Sequence, residues 1–270
     1  MPTIRVNGCD FRYQLEGQGP DIVFIHGEIH GLDYWEHQIA EFSRDHRCLA
    51  YDRRGHGGSG MPSYGFSVVN QTRDLVQLLD HFRIERPIIV ALAFGTTVAA
   101  NFAITCPERV RGLVLAAWSE LHDAMAYFSR WEEYGLRAAD VLENEGRQGL
   151  ESLLREEGGK TIFKVIPLQS DVREKAVRLL ASHPIEEYRR GMLEMGSSVP
   201  NLIPQFCTLD VPVLGVCGTE DPFQDHPELL SAMKSFREAA PIEGGGRFLQ
   251  WERPREFNRL VRQFIDQETK

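Results

Sequence analysis

Two short stretches of the chain each place a carboxylate and an imidazole two residues apart. Glu28 and His30 follow one apolar run, and Glu120 and His122 follow another. Carboxyl and imidazole groups can give and take protons near neutral pH, so each pair contains a candidate general acid and a candidate general base. The residue types and their spacing predict proton-transfer chemistry if the fold brings the two pairs to one cleft.

Short apolar runs separated by longer amphipathic stretches must position these side chains. Five runs are predicted to be buried strands: 21–25, 48–51, 88–92, 113–117 and 213–217. Three stretches with helical spacing of apolar residues are predicted to be helices: 68–82, 96–105 and 254–267. This alternation is typical of an α/β protein whose mostly parallel sheet is covered by helices. In such sheets ligands bind beyond the carboxyl ends of the strands, where both candidate pairs lie.

The stretch at 120–200 departs from this alternation. It contains no convincing strand, and it has charged amphipathic segments at 138–157 and 172–182. We interpret it as a helical cap inserted into a core formed by residues 1–119 and 201–270. The alternative is a set of ordinary crossover helices lengthened by insertion.

Composition limits the classes of partner. The 270 residues carry a formal net charge of −9, and 42% of them are hydrophobic. No basic run is long enough to follow nucleic-acid phosphates, and no apolar stretch reaches the roughly 18 residues of a membrane span. The amino terminus lacks the apolar core of a signal peptide, and the odd number of widely spaced cysteines is typical of reduced thiols. We expect a cytoplasmic protein with a small-molecule substrate, without nucleic-acid or membrane partners, and a homodimer is left open.

Several separated motifs resemble those of the α/β-hydrolase superfamily along the whole chain. They are His26-Gly27 after the first buried strand, the turn Asp52-Arg53-Arg54-Gly55-His56-Gly57-Gly58-Ser59-Gly60, the loop Gly218-Thr219-Glu220-Asp221, and the segment 246–257 with Arg247, Glu252, Pro254 and Phe257. The resemblance implies an α/β-hydrolase fold, which is a mostly parallel, twisted sheet flanked by helices, with an inserted helical cap.

The same resemblance locates the catalytic triad of the superfamily, and two of its three positions carry residues that cannot serve. The nucleophile position in the strand-to-helix elbow, usually Gly-x-Ser-x-Gly, is Ala93; the acid position is Asp221; and the histidine position is Arg247. A methyl group cannot attack a carbonyl, and arginine keeps its proton throughout the working range. Arg247 can instead pair with Asp221, or bind a carboxylate or enolate of a substrate.

Other parts of such a site are retained in the sequence. The resemblance implies an oxyanion hole from the backbone N–H groups of Phe94 and Glu28, with Ala93 and Phe94 beside the substrate. In a closed, partly apolar cleft the pKa of Glu28 is expected to rise, which suits proton transfer. Alternatively, this carboxylate faces solvent or bonds to a loop amide. His30 is a candidate partner base or substrate donor, unless it is an exposed loop residue.

The loop after residue 117 is expected to border the same cleft. Trp118 is a candidate pocket residue, and Glu120 or His122 a candidate acid–base group. Alternatively, Glu120 opens a helix, where a first-turn acid is favoured by the helix dipole. Tyr127 and Trp131 of the expected cap are candidate substrate-binding residues, although aromatic residues there can equally belong to a core.

Three functional hypotheses follow. The first is a cofactor-independent, non-hydrolytic enzyme, without a bound metal, that polarises a carbonyl and shuttles protons, as a cyclase, lyase, dehydratase or isomerase in biosynthesis would. The second is an inactive ligand-binding or sensor protein that keeps the pocket. The third is an atypical hydrolase with relocated catalytic groups. We favour the first, because a carboxylate and two histidines are expected near the mouth of the cleft.

Overall fold

The computed structural model describes residues 1–118, 120–157, 170–191, 194, 201–221 and 227–268 of the chain. The side chains of residues 120, 122–133, 157, 170, 171 and 191 are outside this description.

A single sheet of eight strands organises the described residues. The strands are β1 (Thr3–Val6), β2 (Cys9–Glu16), β3 (Asp21–Ile25), β4 (Arg47–Tyr51), β5 (Ile88–Leu92), β6 (Gly112–Ala116), β7 (Val213–Val216) and β8 (Phe236–Glu238). Their order in the sheet is β1-β2-β4-β3-β5-β6-β7-β8. β1 pairs with β2, and β2 with β4, in antiparallel register, whereas all later pairs are parallel. The carboxyl ends of β3, β5 and β6 therefore meet at one edge of the sheet.

Helices cover both faces of the sheet. They are α1 (Glu36–Phe42), α2 (Val68–Phe82), α3 (Phe94–Thr105), α4 (Glu120–Glu157), α5 (Ser170–Leu180), α6 (Ile203–Phe206), α7 (Leu249–Glu252) and α8 (Pro254–Glu268). Short 3₁₀ turns lie at Leu32–Trp35, Pro107–Arg109 and Pro227–Leu230, and Glu187–Gly191 forms one π-helical turn.

The central strands are apolar on both sides because both sides are covered. Alternate residues of β3 divide between two buried clusters: Val23 and Ile25 pack with α2 and α3, whereas Ile22 and Phe24 pack with α1 and α8. Burying this apolar surface is the main favourable contribution to folding, and it fixes the strand ends that carry the candidate site.

The predicted sheet and helices are confirmed. The five predicted strands are observed with shifts of at most one residue at their ends, and α2 spans the predicted residues 68–82. β1, β2 and β8 were not predicted: β1 and β2 are partly exposed, and β8 has only three residues. The described part of 120–200 is helical, through α4 and α5. Its division from the core as a cap stays a prediction.

No helix in the described part of the chain is both long enough and apolar enough to cross a membrane.

Candidate active site

The turn between β5 and α3 has the strained backbone of a nucleophile elbow. Ala93 adopts φ 50° and ψ −124°, a conformation that side-chain-bearing residues rarely occupy. Two residues after Ala93, the close approach of α3 to β3 requires glycine. A Cβ on Gly95 would lie 2.5 Å from the Ile25 carbonyl oxygen. The elbow is therefore built as in an enzyme, but it presents only the buried methyl group of Ala93.

Backbone strain recurs at the neighbouring strand ends. Ile29 after β3 has φ 47°, and Ala117 after β6 has φ 48°. With Ala93, three adjacent strands thus end near non-glycine residues with positive φ. Such strain costs on the order of 1–3 kcal/mol per residue and tends to collect at functional sites. The carboxyl edge of the sheet is the candidate site on this ground, as the sequence predicted.

The structure brings His30 and Ala93 together at Gly27. A Cβ placed on Gly27 would lie 2.7 Å from His30 Nδ1 and 2.9 Å from Ala93 Cβ. The imidazole and the elbow methyl group therefore converge on one point, and only glycine fits between them. His30 is buried, and its Nδ1 has no hydrogen-bond partner among the described residues. A buried nitrogen with an unused lone pair or proton beside the elbow is suited to exchange a proton with a bound molecule.

Aromatic rings hold the His30 imidazole in place. Its ring centroid lies 4.3 Å from that of Tyr34 and 5.0 Å from that of Phe248. Burial lowers the pKa of His30 well below its ordinary value, and the charges of His183, Arg53 and Arg247 lower this pKa further. His30 is therefore a neutral imidazole in a site that disfavours additional positive charge.

The expectation that the pKa of Glu28 is raised is wrong. Glu28 is buried, but Arg53 Nη2 donates a 2.6 Å hydrogen bond to its Oε1, and His56 Nε2 lies 3.3 Å from its Oε2. Burial raises the pKa of Glu28, but the charge of Arg53 and then that of His56 outweigh burial, so the net pKa is lowered. Glu28 is thus an ionised partner of Arg53, facing neither solvent nor a loop amide.

Arg53 also holds the loop that follows β3. Its guanidinium donates to the carbonyl oxygens of His26 and Gly27 at 3.0 and 2.7 Å, and to Gln71 Oε1 at 2.6 Å. This buried side chain is the reason why the segment 26–30 is fixed beside the elbow. Sequence reasoning missed this role, although Arg53 belongs to the glycine-rich turn that the resemblance identified.

Two further groups, which sequence reasoning also missed, extend this buried network into the region predicted to be the cap. His183 Nδ1 lies 2.7 Å from Glu187 Oε2, and Glu187 Oε1 lies 3.5 Å from His56 Nε2. His56, which belongs to the glycine-rich turn, accordingly contacts two carboxylates, Glu28 and Glu187. The i, i+4 spacing of His183 and Glu187 was the available signal for a pair on one face of a helical segment.

Asp221 and Arg247 meet as an ion pair. Arg247 Nη1 lies 3.1 Å from Asp221 Oδ2, and both side chains are almost completely buried. The geometry matches the first of the two roles open to Arg247, which is pairing with Asp221.

Asp221 and Arg247 lie in two different loops, which must be in contact for the ion pair to form. The backbone N–H of Glu220 donates to the Gly245 carbonyl at 2.8 Å, and Gly218 approaches so closely that an added Cβ would lie 2.0 Å from that carbonyl oxygen. The carboxylate of Glu252 accepts hydrogen bonds from the N–H groups of Gly246 and Phe248, at 2.9 and 3.1 Å. The residues on both sides of Arg247 are thereby fixed.

Phe94 and Trp118 are both buried next to the sheet edge. Phe94 begins α3, and its ring lies under the Arg53 guanidinium, 5.0 Å from centroid to Cζ. The Trp118 ring meets Phe236 edge-on, with 6.1 Å between centroids. Substrate contact by either residue stays a prediction.

The remaining predicted site residues lie in the first part of α4. Glu120 is the first residue of this helix, as the alternative interpretation expected. The side chains of Glu120, His122, Tyr127 and Trp131 are outside the described residues, so their acid–base and substrate-binding roles stay predictions.

A cleft of about 240 Å³ opens beside the His30 loop. It is lined by Arg12, Gly31, Asp33, Tyr34, Gly57, Gly58, Leu179, Ser182 and His183. The Tyr34 hydroxyl is buried and has no hydrogen-bond partner among the described residues. The cleft therefore joins the loop that carries His30 to the segment that carries His183.

Comparison with known proteins agrees with this architecture. Residues 20–150 match the family model described as the alpha/beta hydrolase fold. The structure superposes on that of an enol-lactonase from Burkholderia xenovorans LB400 with a TM-score of 0.78. The match has 22% sequence identity and covers 98% of this chain and 100% of the enol-lactonase chain. The chain has the α/β-hydrolase fold, and these matches support its placement in that superfamily.

Two curated relatives align with most of the chain. A candidate 2-succinyl-6-hydroxy-2,4-cyclohexadiene-1-carboxylate synthase of Bacillus subtilis (strain 168) is 25% identical over 98% of this chain and 99% of its own length. The 3-oxoadipate enol-lactonase 2 of Acinetobacter baylyi (strain ATCC 33305 / BD413 / ADP1) is 25% identical over 82% of this chain and 79% of its own length. One relative is thus named as a synthase and the other as a lactone hydrolase.

Proposed function

We propose that this α/β-hydrolase-fold protein is a non-hydrolytic enzyme that moves a proton on a small, carbonyl-containing substrate. The reaction is of the cyclase, lyase, dehydratase or isomerase type. The observation that carries the proposal is the convergence of His30 Nδ1 and the Ala93 methyl group on Gly27. A buried nitrogen without a hydrogen-bond partner among the described residues lies beside the elbow, which is where the proposal puts the substrate carbonyl, and the methyl group at the elbow cannot form an acyl-enzyme.

The proposed roles follow from the geometry of the elbow. The backbone N–H groups of Phe94 and Glu28, at the positive end of α3, stabilise the oxygen of an enolate as it forms. His30 takes the proton from the neighbouring carbon, since its low pKa keeps it neutral before the substrate binds. Arg247 remains paired with Asp221 and contributes positive potential without exchanging a proton.

The electrostatics favour an anionic substrate. The charges of His183, Arg53 and Arg247 lower the pKa of His30, and a nearby carboxylate or enolate would offset them. A bound anion would thereby raise the basicity of His30 only in the complex. The name of one relative includes a carboxylate product, and that of the other includes the dicarboxylate 3-oxoadipate. We extend this feature to the present chain and propose that its substrate carries a carboxylate in addition to the carbonyl.

The test is product formation in a complex mixture. The protein is incubated with a metabolite extract of its source organism, and mass spectrometry follows the loss of one species and the gain of another. The expected result is product in molar excess over protein with the native chain, and at least about 100-fold less with His30→Gln. Retention of one compound at protein stoichiometry, without product, would identify a binding protein instead.

A further inference from the structure

His183 and Glu187 form a carboxylate–imidazole pair that faces a cleft. The pair is joined at 2.7 Å through Nδ1, and both side chains are nearly fully buried. An ionised carboxylate only accepts hydrogen bonds, so Nδ1 of His183 carries the donated proton and Nε2 is left for other partners. In hydrolases of this fold, an acid orients the catalytic imidazole in the same manner.

The surroundings of Glu187 position this pair, and Oε1 of Glu187 has no hydrogen-bond partner among the described residues. Glu187 begins the π-helical turn, a rare local structure that is frequent at functional sites. Its second oxygen lies 3.5 Å from His56 Nε2, and the Tyr188 hydroxyl donates to the Leu180 carbonyl at 2.7 Å. The turn that carries His183 is thereby tied both to itself and to the glycine-rich loop of the core.

The two imidazoles of the buried network differ in their access to a ligand. Glu28, Glu187 and Arg53 surround them with two carboxylates and one guanidinium. His56 is enclosed completely, whereas His183 lines the cleft. Of the two, His183 is therefore placed to exchange a proton with a bound molecule.

We propose that His183, oriented by Glu187, is the second acid–base residue of the reaction and gives a proton to the substrate from the wall of the cleft that it lines. This inference rests on the proposed function, in which His30 is the first. Gly31 and Tyr34, which flank and stack on His30, line the same cleft as His183, so a ligand bound there lies beside the loop that carries His30.

The two imidazoles together balance the protons of the reaction. The C–H bond beside the carbonyl breaks, its proton passes to His30, and its electron pair enters the enolate. When the enolate collapses, its electron pair either takes the Nε2 proton of His183 at carbon or expels a leaving group, whose C–O bond breaks as His183 protonates the leaving oxygen. Solvent in the cleft returns a proton to His183, and His30 releases the one that it took.

The test compares variants in the same metabolite-extract assay. His183→Gln and Glu187→Gln are expected to slow product formation by about 100-fold or more. His46→Gln is the matched control, because His46 is equally buried and forms a 2.8 Å pair with Asp45 elsewhere in the fold. This control is expected to keep the native rate.

A second measurement separates catalysis from structure. Added imidazole is expected to restore at least a tenth of the native rate to His183→Ala, about a tenfold recovery or more, because the cleft has room for the missing ring. Rescue identifies His183 as a proton donor even if the variant is less stable. The inference is overturned if His183→Gln retains the native rate while His30→Gln is inactive, or if imidazole rescues nothing in a folded His183→Ala. Absence of product with the native protein would instead overturn the proposed function.

Discussion

His30 Nδ1 and the Ala93 methyl group lie on two sides of Gly27, at 2.7 and 2.9 Å from the point where a side chain there would begin. In a serine hydrolase the elbow residue would be the nucleophile. Here the side chain at the elbow is only a methyl group, and the polar atom beside it, Nδ1 of His30, belongs to the loop after β3. In the proposed function, the chemistry depends on this loop, at a neighbouring strand end, instead of on the elbow side chain.

Gly27→Ala tests this convergence directly. The added methyl group is expected to displace the His30 ring, to lower stability by about 1–3 kcal/mol and to abolish turnover. Gly112→Ala is the control, since its Cβ would meet Phe264 at 3.0 Å, at the amino end of β6 and far from the site. The control should lose stability but retain activity, and equal activity in the two variants would contradict the assignment.

Ala93→Ser tests whether a hydroxyl group at the elbow is sufficient for ester hydrolysis. The single variant is expected to show no p-nitrophenyl acetate hydrolysis, because Arg247 cannot take the serine proton. Ala93→Ser combined with Arg247→His rebuilds the triad with Asp221 and is expected to hydrolyse the ester measurably. Rapid hydrolysis by the single variant would reveal another base within reach of the elbow.

The buried Asp221–Arg247 pair is expected to matter for stability. Asp221→Asn removes the carboxylate that Arg247 contacts, and should lower the free energy of unfolding by about 3 kcal/mol in urea titrations. Asp10→Asn is the control, because Asp10 pairs with Arg5 in an exposed position and its loss should cost under about 1 kcal/mol. Equal losses in both variants would refute the importance of burial.

Buried neutral imidazoles should make the protein sensitive to acid. Burial lowers the pKa of His26 and of His30 well below the ordinary value of 6.5. The unfolded chain binds these protons and the folded chain does not, so stability is complete above that pKa and is lost as the pH falls below it. Each group contributes a slope of up to about 1.4 kcal/mol per pH unit.

The acid sensitivity is measured by urea unfolding on both sides of the ordinary histidine pKa. His30→Gln is expected to lose less stability than the native chain when the pH is lowered, because one of the two proton-binding differences is gone. An identical pH dependence in the two proteins would show that His30 is protonated equally in the folded and unfolded states.

The sheet was predictable from sequence because its central strands are uninterrupted apolar runs. Residues 88–92 read as a buried strand, and β5 spans them. β1 and β2 were not predicted because both strands contain exposed as well as partly or fully buried residues. They therefore lack the uninterrupted apolar run that marks a strand covered on both faces. Local pattern finds strands that are covered on both faces, whereas the partly exposed strands at this side of the sheet lack that signal.

The site was only partly predictable. The sequence motifs led to Ala93, Asp221 and Arg247, but the low pKa of Glu28 depends on Arg53, which lies 25 residues away in the chain. The i, i+4 spacing of His183 and Glu187 indicates their pairing, but the contact of Glu187 with His56 joins distant parts of the chain and is not revealed by spacing. Electrostatic roles are set by neighbours in space, which a single sequence does not specify.

The most direct test of the central claim is the source of the oxygen and hydrogen atoms in the product. The metabolite-extract reaction is run once in H₂¹⁸O and once in D₂O, and the product is analysed by mass spectrometry. Proton transfer through His30 predicts no ¹⁸O in any newly formed carboxylate or alcohol, and it predicts deuterium on carbon if the reaction ends by protonation of carbon. Incorporation of ¹⁸O into such a group would identify hydrolysis and contradict the account.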